Sequence, residues 1–309
     1  MNEKLAVILV NYNGIKYNDK CITSILGNAI DTKYEVIVVD NASTDSSLTS
    51  LKEKWGNNCH VHILEAGSNV GFAKANNIGI RWAREQKFTH YFLLNNDTEI
   101  EPDVLEKLMK SYKTYRGIIT PKIYFADTKI IWSAGGKFTP FFRKPVQVGL
   151  NEMDHGQYDV DRNCDFANGC ALFFGNAELE QIGLMDESFF LYYEDTEFSM
   201  RAKKAGIPVW YCAGAVIYHK VNGSTGGNQS PMNAYFISRN WLIFSKMHLG
   251  WKHKLFWIYF IVNRIAWMMI WIMQGRIAMA KAVIKGIEDY FVWVRKKDHY
   301  DDRGSYVIG

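Results

Sequence analysis

Two acidic positions hold the chemistry this chain can offer. Asp97 closes the run Tyr91-Phe92-Leu93-Leu94-Asn95-Asn96-Asp97-Thr98, in which four apolar residues lead into two amides and a carboxylate. The apolar part reads as a buried strand of a sheet covered on both faces. The carboxyl end of such a strand is where open α/β sheets bind ligands. A helix cap would account for a lone Asp there as well, although Asp103 also stands ready for that duty. The second position lies in Met185-Asp186-Glu187-Ser188-Phe189-Phe190-Leu191-Tyr192-Tyr193-Glu194-Asp195-Thr196-Glu197. Helical periodicity beginning near Asp195 places Glu194-Asp195 at a helix N-terminus, where the macrodipole favours ionised carboxylates. Among aromatics, a carboxylate is desolvated and becomes a better base, suited to taking a proton from a hydroxyl nucleophile. The plain alternative is a solvated acidic first turn.

The elements that must position these groups follow a regular rhythm. An apolar, β-branched run at 5–10 ends in Asn11-Tyr12-Asn13-Gly14, and a helix is expected at about 17–28. A strand at 34–39 ends in Asp40-Asn41-Ala42-Ser43-Thr44-Asp45, followed by a helix at about 46–54. A strand at 60–65 precedes Gly67-Ser68-Asn69-Val70-Gly71-Phe72, and a helix from about 73 to 85 leads to the Tyr91 strand. This alternation predicts an α/β fold with a doubly wound, mostly parallel sheet. No G-x-G-x-x-G follows the first strand and no G-x-x-x-x-G-K-[ST] occurs, which disfavours dinucleotide and P-loop cradles. The strand ends instead supply Asn11, Tyr12, Asp40, Asn41 and Asp97. A ring there can stack on a base, and a carboxylate can accept from a base or ribose hydroxyl. Asp40 and Asn41 would equally serve as caps for the 46–54 helix.

The motifs Val10-Asn11-Tyr12-Asn13-Gly14, Val38-Val39-Asp40-Asn41-Ala42-Ser43-Thr44-Asp45, Asn69-Val70-Gly71-Phe72-Ala73 and Leu93-Leu94-Asn95-Asn96-Asp97-Thr98 stand in an order and spacing that resembles the GT-A-type nucleotide-sugar glycosyltransferases of family 2, in particular their bacterial rhamnosyltransferase-like branch. The resemblance covers about 4–240. It implies that Val10, Asn11, Tyr12, Asp40, Asn41, Asn76 and Asn96 surround the nucleotide. It also implies that Asp97, matching the last carboxylate of the family's Asp-x-Asp motif, anchors a divalent Mg²⁺ or Mn²⁺ on the diphosphate. Asn95 replaces the first carboxylate of that motif, leaving one strong ligand in place of two. The family's Glu-Asp pair falls on Glu194-Asp195, with Asp195 as the base. His219 opens a Gly/Ser/Thr-rich stretch, 220–227, similar to the family's His-x-x-Gly-Ser, and becomes a second metal or phosphate ligand by the same resemblance. Asp165 and Asn168 would lie beside the donor sugar.

Between 111 and 165 the pattern is weaker, with short strands expected at 117–123 and 129–133. Trp132-Ser133-Ala134-Gly135-Gly136 is a small-residue turn that a sugar substrate could approach closely at Trp132 and Gly135, or an ordinary hairpin. Further strand-like runs lie at 208–211 and 216–218. Arg239 is a phosphate contact or an ion-pair partner.

The chain has 309 residues, 48% of them hydrophobic, and only 6 Pro, as expected of a globular protein with one or two domains. Its net charge of +4 is unevenly spread. Residues 1–240 hold 25 Lys/Arg against 27 Asp/Glu, whereas 241–309 hold 11 against 5 and six of the ten Trp. Five Cys without C-x-x-C spacing give no disulfide framework or zinc site and fit a reducing cytosol. The N-terminus enters a strand without a signal-like apolar stretch, so the catalytic body is expected in the cytoplasm. We therefore divide the chain into a GT-A domain, 1–240 (nucleotide half 1–110, acceptor and catalytic half 111–240), and a membrane-associating extension, 241–309.

Within that extension, 255–273 is 19 residues with Asn263 and Arg264 as its strongly polar members. Lys252, Asn263, Gln274 and Lys285 recur every eleven residues, a spacing that aligns them on a straight helix. His253 and Arg264 follow the same azimuth. A polar stripe on a Trp/Met/Ile surface favours a helix lying in the membrane interface, with the basic residues meeting anionic head groups. A core helix or a homodimer face is the alternative. The implied activity is inverting transfer of a sugar, L-rhamnose from dTDP-rhamnose in the first instance and a UDP-hexose or galactofuranose in the second, to a lipid-linked or growing glycan at the cytoplasmic membrane face. Nucleic acid is not an expected partner. A nucleotidyltransferase or a non-catalytic nucleotide-sugar binder are the rivals from other classes.

Overall fold

A computed structural model describes residues 3–220 and 230–301, with the side chains of 298–301 excepted. The chain divides into two compact units, Met1–Ser224 and Thr225–Gly309. The boundary falls ahead of the composition change at 241 because Ala234 packs with Met279 and Val283, and Tyr235 donates to Asp289 at 2.6 Å.

The first unit begins with β1 (Lys4–Asn11), α1 (Asn18–Leu26), β2 (Lys33–Asp40), α2 (Ser47–Trp55), β3 (Val61–Glu65), α3 (Phe72–Glu85) and β4 (His90–Asn95). It continues through β5 (Thr98–Ile100), α4 (Val104–Tyr115), β6 (Ile118–Phe125), β7 (Ile131–Ser133), β8 (Gly136–Phe138) and β9 (Pro145–Gln147). It closes with β10 (Arg162–Cys164), β11 (Ala171–Gly175), α5 (Asn176–Ile182), α6 (Glu194–Lys204) and β12 (Val209–His219). The main sheet runs β10-β12-β6-β11-β4-β1-β2-β3, with β5 on β12 and β7 on β6.

The strands β4, β1, β2 and β3 are mutually parallel. β11 enters antiparallel to β4, so the sheet is mixed, with a parallel half that carries the nucleotide-type strand ends. Alternation along each strand feeds two cores. Ala6, Ile8, Tyr91 and Leu93 meet α3, α5 and α6 on one face, while Leu5, Val7, Leu9 and Phe92 meet α1, α2 and α4 on the other. Each fully buried Leu, Ile, Val or Phe contributes roughly 1.5–3 kcal/mol relative to exposure. These strands are consequently the rigid part of the scaffold.

β1 pairs with β2 on one side and β4 on the other, so the chain reverses its direction of travel across the sheet there. Such a switch point opens a crevice at the carboxyl strand ends, here between Asn11-Tyr12 and Asn95–Asp97. The two runs expected at 208–211 and 216–218 form one strand, β12. Its register with β6 shifts between Cys212 and Val216, and the small residues Ala213-Gly214-Ala215 form the irregularity.

The second unit contains α7 (Pro231–His248), α8 (Lys252–Met273) and α9 (Ile277–Asp301). Ser230 caps α7 by accepting from the Asn233 N–H at 3.1 Å, with Pro231 at the first helical position.

Candidate active site

Asn11, at the end of β1, is fully buried and is the hub of the crevice floor. Its Nδ2 donates to Asp40 Oδ1 at 2.6 Å, Ser47 Oγ at 2.9 Å and Ser43 Oγ at 3.0 Å. Its Oδ1 accepts from Asn18 Nδ2 at 2.8 Å, the Gly14 N–H at 3.2 Å and Asn96 Nδ2 at 3.3 Å. With both ends of the amide committed, Asn11 builds the crevice and has nothing left for a nucleotide. Asn96 Nδ2 also donates to Asn18 Oδ1 at 2.7 Å, so its amide nitrogen is engaged in the same network.

Asp40 accepts from Asn11, Ser43 Oγ at 2.7 Å and the Ser43 N–H at 3.1 Å. A carboxylate offers about four acceptor directions, so one remains for a ligand. Asp40 does not cap α2, because Asp45 accepts from the Ser47 N–H at 3.0 Å instead. Asn41 donates to Asn69 Oδ1 at 3.0 Å and accepts from the Val70 N–H at 2.8 Å, holding the 69–71 loop over the crevice. Tyr12 is half-buried and Val10 packs its side chain against the α3-side core. Asn76 is buried and donates to the Phe72 carbonyl at 2.9 Å within α3, a structural commitment.

Asp97 follows β4 and precedes β5, not a helix, so capping does not explain it. It is buried, and its Oδ1 lies 3.1 Å from His219 Nε2. Antiparallel pairing of Thr98 with His219 brings them together, and the Asp97 carbonyl accepts from the Lys220 N–H at 2.9 Å. Asp97 Oδ1 and His219 Nδ1 are buried without a hydrogen-bond partner among the described residues. Trp132 stands edge-on to His219, with ring centroids 4.6 Å apart. Among the described residues no group of three His, Cys, Asp or Glu converges. The pair nevertheless fits a cation that takes one or two protein ligands and completes its shell with phosphate and water. Residues 221–227 of the Gly/Ser/Thr-rich stretch lie outside the described residues.

The second carboxylate reaches the same region through the 168–171 turn. The Gly169 N–H donates to Asp195 Oδ2 at 2.7 Å, and Asn168 Oδ1 accepts from the Cys170 N–H at 2.9 Å. The Cys170 carbonyl accepts from the Asn95 N–H at 2.9 Å. Asp97 and Asp195 therefore flank one short turn. Consistent with this, burial raises the Cys170 thiol well above its ordinary range, and both carboxylates push it further. Asp195 retains a partly exposed face. Burial raises its carboxyl, against the lowering pull of the Gly169 N–H and the Thr196 hydroxyl and N–H. Glu194 is buried, its Oε2 without a hydrogen-bond partner among the described residues, and burial followed by the Asp195 charge raises its carboxyl well above the ordinary range. Tyr192 and Tyr193 adopt φ of 67° and 74° immediately before α6. Two consecutive left-handed non-glycine residues are strained, and strain of this kind clusters at functional sites.

Two expected sugar contacts have structural partners. Asp165 accepts from the Phe138 N–H at 2.8 Å and pairs with Lys203, so it fastens β8 to α6. Gly135 packs against Cys164 and Tyr211, where a Cβ would come within 3.3 Å. Sequence reading overlooked Asn77. It donates to the Met185 carbonyl at 2.9 Å, accepts from the Met185 N–H at 3.0 Å and donates to Glu187 at 3.1 Å. It thereby ties α3 to the acidic loop; the adjacent Asn76-Asn77 amides in a helix were the available signal.

Residues 6–160, half of the chain, match the family described as glycosyl transferase family 2. The chain is a family 2 glycosyltransferase. Among its relatives, the low-salt glycan biosynthesis hexosyltransferase Agl10 of Haloferax volcanii is 28% identical over 78% of this chain and 75% of its own. The dTDP-rhamnosyl transferase RfbF of Shigella flexneri is 26% identical over 81% and 82%. The N-acetylglucosaminyl-diphospho-decaprenol L-rhamnosyltransferase of Mycobacterium tuberculosis is 24% identical over 81% and 87%. Two of these three relatives carry rhamnosyl transferase names. The fold of this chain is similar to that of GalNAc-T7 with UDP, GalNAc and Mn²⁺ (TM-score 0.58, 15% identity, 77% of this chain and 50% of that one). It is also similar to S. aureus TarS (TM-score 0.53, 19% identity, 78% and 39%). This chain therefore spans less than two thirds of either solved chain.

Proposed function

We propose that this glycosyltransferase moves L-rhamnose from dTDP-rhamnose to a hydroxyl of a lipid-linked or growing cell-surface glycan, with inversion. The observation that carries the reading is the pair of carboxylates, Asp97 and Asp195, flanking the Gly169–Cys170 turn. Tyr12 and Asp40 hold the base and ribose. Asp97 and His219 would hold a divalent cation, Mg²⁺ or Mn²⁺, which would supply Lewis-acid neutralisation of the diphosphate charge.

Asp195 orients the acceptor hydroxyl. As its oxygen bonds to the anomeric carbon, the bond from that carbon to the phosphate oxygen breaks, the nucleoside diphosphate leaves, and the hydroxyl proton passes to Asp195. The Gly169 and Thr196 donors fix the carboxylate in place, so little reorganisation is needed. A single displacement by a separate base inverts the configuration.

The donor follows the rhamnosyl names of two relatives. A UDP-hexose donor is the second reading, favoured by the hexosyltransferase name of the first. The decaprenol acceptor named for the mycobacterial relative supports a lipid-linked acceptor, met at the cytoplasmic face of a membrane that the chain joins peripherally or monotopically through its C-terminal helices. The test is hydrolysis and transfer across a panel of dTDP- and UDP-sugars with Mg²⁺ or Mn²⁺, with product configuration read by NMR. A preference for dTDP-rhamnose and an inverted product are expected; retention of configuration would overturn the single displacement.

A further inference from the structure

α8 is 22 residues long, about 33 Å at 1.5 Å per residue. One row of it is buried, at intervals of four: Phe256, Phe260 and Arg264. The Arg264 guanidinium lies over the Trp241 and Phe260 rings at 5.4 and 5.5 Å. The polar azimuth shared by His253 and Arg264 therefore turns toward the neighbouring helices, not toward water as the sequence pattern implied. The opposite side is apolar along the whole helix. At 100° per residue, Leu255, Ile258, Val262, Ile265, Met269 and Ile272 share it, and Ile258 and Val262 are 66% and 65% exposed. A continuous apolar band of this length marks an interaction surface.

We infer that this outward face of α8 lies flat in the surface of an anionic lipid bilayer, embedded lengthwise to a depth of about 5–10 Å. Charge selects the occupant. Residues 252–297 hold nine Lys/Arg against two acidic residues, Glu288 and Asp289. A second copy would bring the same positive charge and be repelled, whereas anionic head groups are attracted at about 1 kcal/mol per basic residue near the surface. Neighbouring helices select the orientation. The exposed side of α9 mixes Lys281, Lys285 and Glu288 with Ile284 and Phe291. That helix cannot enter the hydrocarbon core beside α8, and Arg264 needs its protein cover. Lys254, at the exposed start of α8, shares the azimuth of Ile272 on one edge of the apolar band, where a head group would sit.

This inference rests on the membrane placement proposed above and extends it to a face and an orientation. In the full chain, Cys59 is the exposed cysteine. Nitroxide labels are attached at Ile258→Cys, Ile265→Cys or Ile272→Cys in a Cys59→Ser background, and their depth is measured in vesicles of phosphatidylcholine with a quarter phosphatidylglycerol. Equal depth at all three sites is expected. A label at 265 far deeper than those at 258 and 272 would mean a crossing helix and overturn the inference. In flotation, the double variant Ile258→Asp/Ile265→Asp should lose at least about tenfold in binding to anionic vesicles while keeping donor hydrolysis in solution. Vesicle binding unchanged by that variant, or a concentration-dependent dimer that binds no vesicles, would also overturn it. Because binding and depth are read without turnover, failure of the sugar-transfer reading would appear separately, as absent hydrolysis with label depths intact.

Discussion

His219 Nε2 stands 3.1 Å from Asp97 Oδ1, and each of these buried side chains keeps a polar atom with no hydrogen-bond partner among the described residues. Buried polar atoms without partners are costly. Asp97 Oδ1 has the imidazole beside it, and a carboxylate and an imidazole paired at a strand end are a donor set that suits a divalent cation. Under the proposed function, Asp97 and His219 would hold such a cation, and it would neutralise charge on the diphosphate.

Chelation should therefore abolish transfer, and added Mg²⁺ or Mn²⁺ should restore it. Asp97→Asn is expected to lower turnover by about 10²–10³-fold, the usual loss when one preorganised electrostatic group is removed. His219→Ala should raise the metal concentration needed for half-maximal rate. Metal titrations of both variants check this, and an unchanged midpoint in His219→Ala would remove His219 from the ligand set.

Asp195→Asn preserves the shape of the base and can still accept from the Gly169 N–H, but it cannot take a proton. Transfer should fall by about 10²–10⁴-fold, while nucleotide affinity by calorimetry stays within about twofold. Weakened nucleotide binding would point to a role for Asp195 on the donor side instead.

Both members of the Glu194-Asp195 pair have raised carboxyl pKa values in the folded protein. For catalysis, the base must be ionised, so the acid limb of kcat/KM should lie above the ordinary Asp value and activity should be lost as pH falls through it. For stability the sign is opposite. A folded-state pKa above the unfolded one means that the proton is held more tightly in the folded protein. The resulting stabilisation is full below the unfolded value and is lost as pH rises through the folded one. Glu194→Gln cannot ionise, so its melting temperature relative to the parent should climb as pH rises above the ordinary Glu range. A pH-independent difference would place the Glu194 proton elsewhere.

The strand ends were legible because an apolar run followed by Asn or Asp has a local cause, burial ending at a polar crevice. The position of Asp97 followed from that logic, while Asp195 and the start of α6 were read from helical periodicity in an acidic, aromatic-rich stretch. The hub role of Asn11 did not, since its partners Asp40, Ser47 and Asn96 lie 29, 36 and 85 residues away and converge only when β1 sits between β2 and β4. Arg264 shows a similar limit. An eleven-residue repeat gives an azimuth, but only the placement of Trp241 and Phe260 decides whether that azimuth is wet or covered. The family resemblance put Asp165 beside the donor sugar, and Lys203, 38 residues away, gives it a structural partner. Asp165→Asn should accordingly leave donor KM within about twofold and cost no more than about 1 kcal/mol, as for other partly exposed pairs. A tenfold rise in KM would return it to the donor subsite.

The last prediction concerns how the two halves of the site are held in register. Gly71 sits at φ 85° and ψ 171°, a region essentially closed to residues with a side chain. A Cβ there would come within 2.5 Å of the Phe190 carbonyl oxygen and 2.7 Å of its ring. Next to it, the Phe72 N–H donates to that same carbonyl at 2.6 Å. The 69–71 loop, fastened by Asn41 on the nucleotide side, is thus pressed against the segment that leads through Tyr192 and Tyr193 into Asp195. Gly71→Ala must either strain its own backbone, at about 1–3 kcal/mol, or push Phe190 away. Displacing Phe190 would move Asp195, the proposed base, relative to the proposed donor site, and even a small misplacement is costly for turnover. The expected result is a kcat lowered about tenfold or more, with KM for the donor less affected and a reduced melting temperature. Asn77→Ala, which loosens the same segment at Met185, should lower kcat in the same direction. Unchanged kcat in both variants would show that the base keeps its place without the clasp between the donor-side loop and the acidic loop.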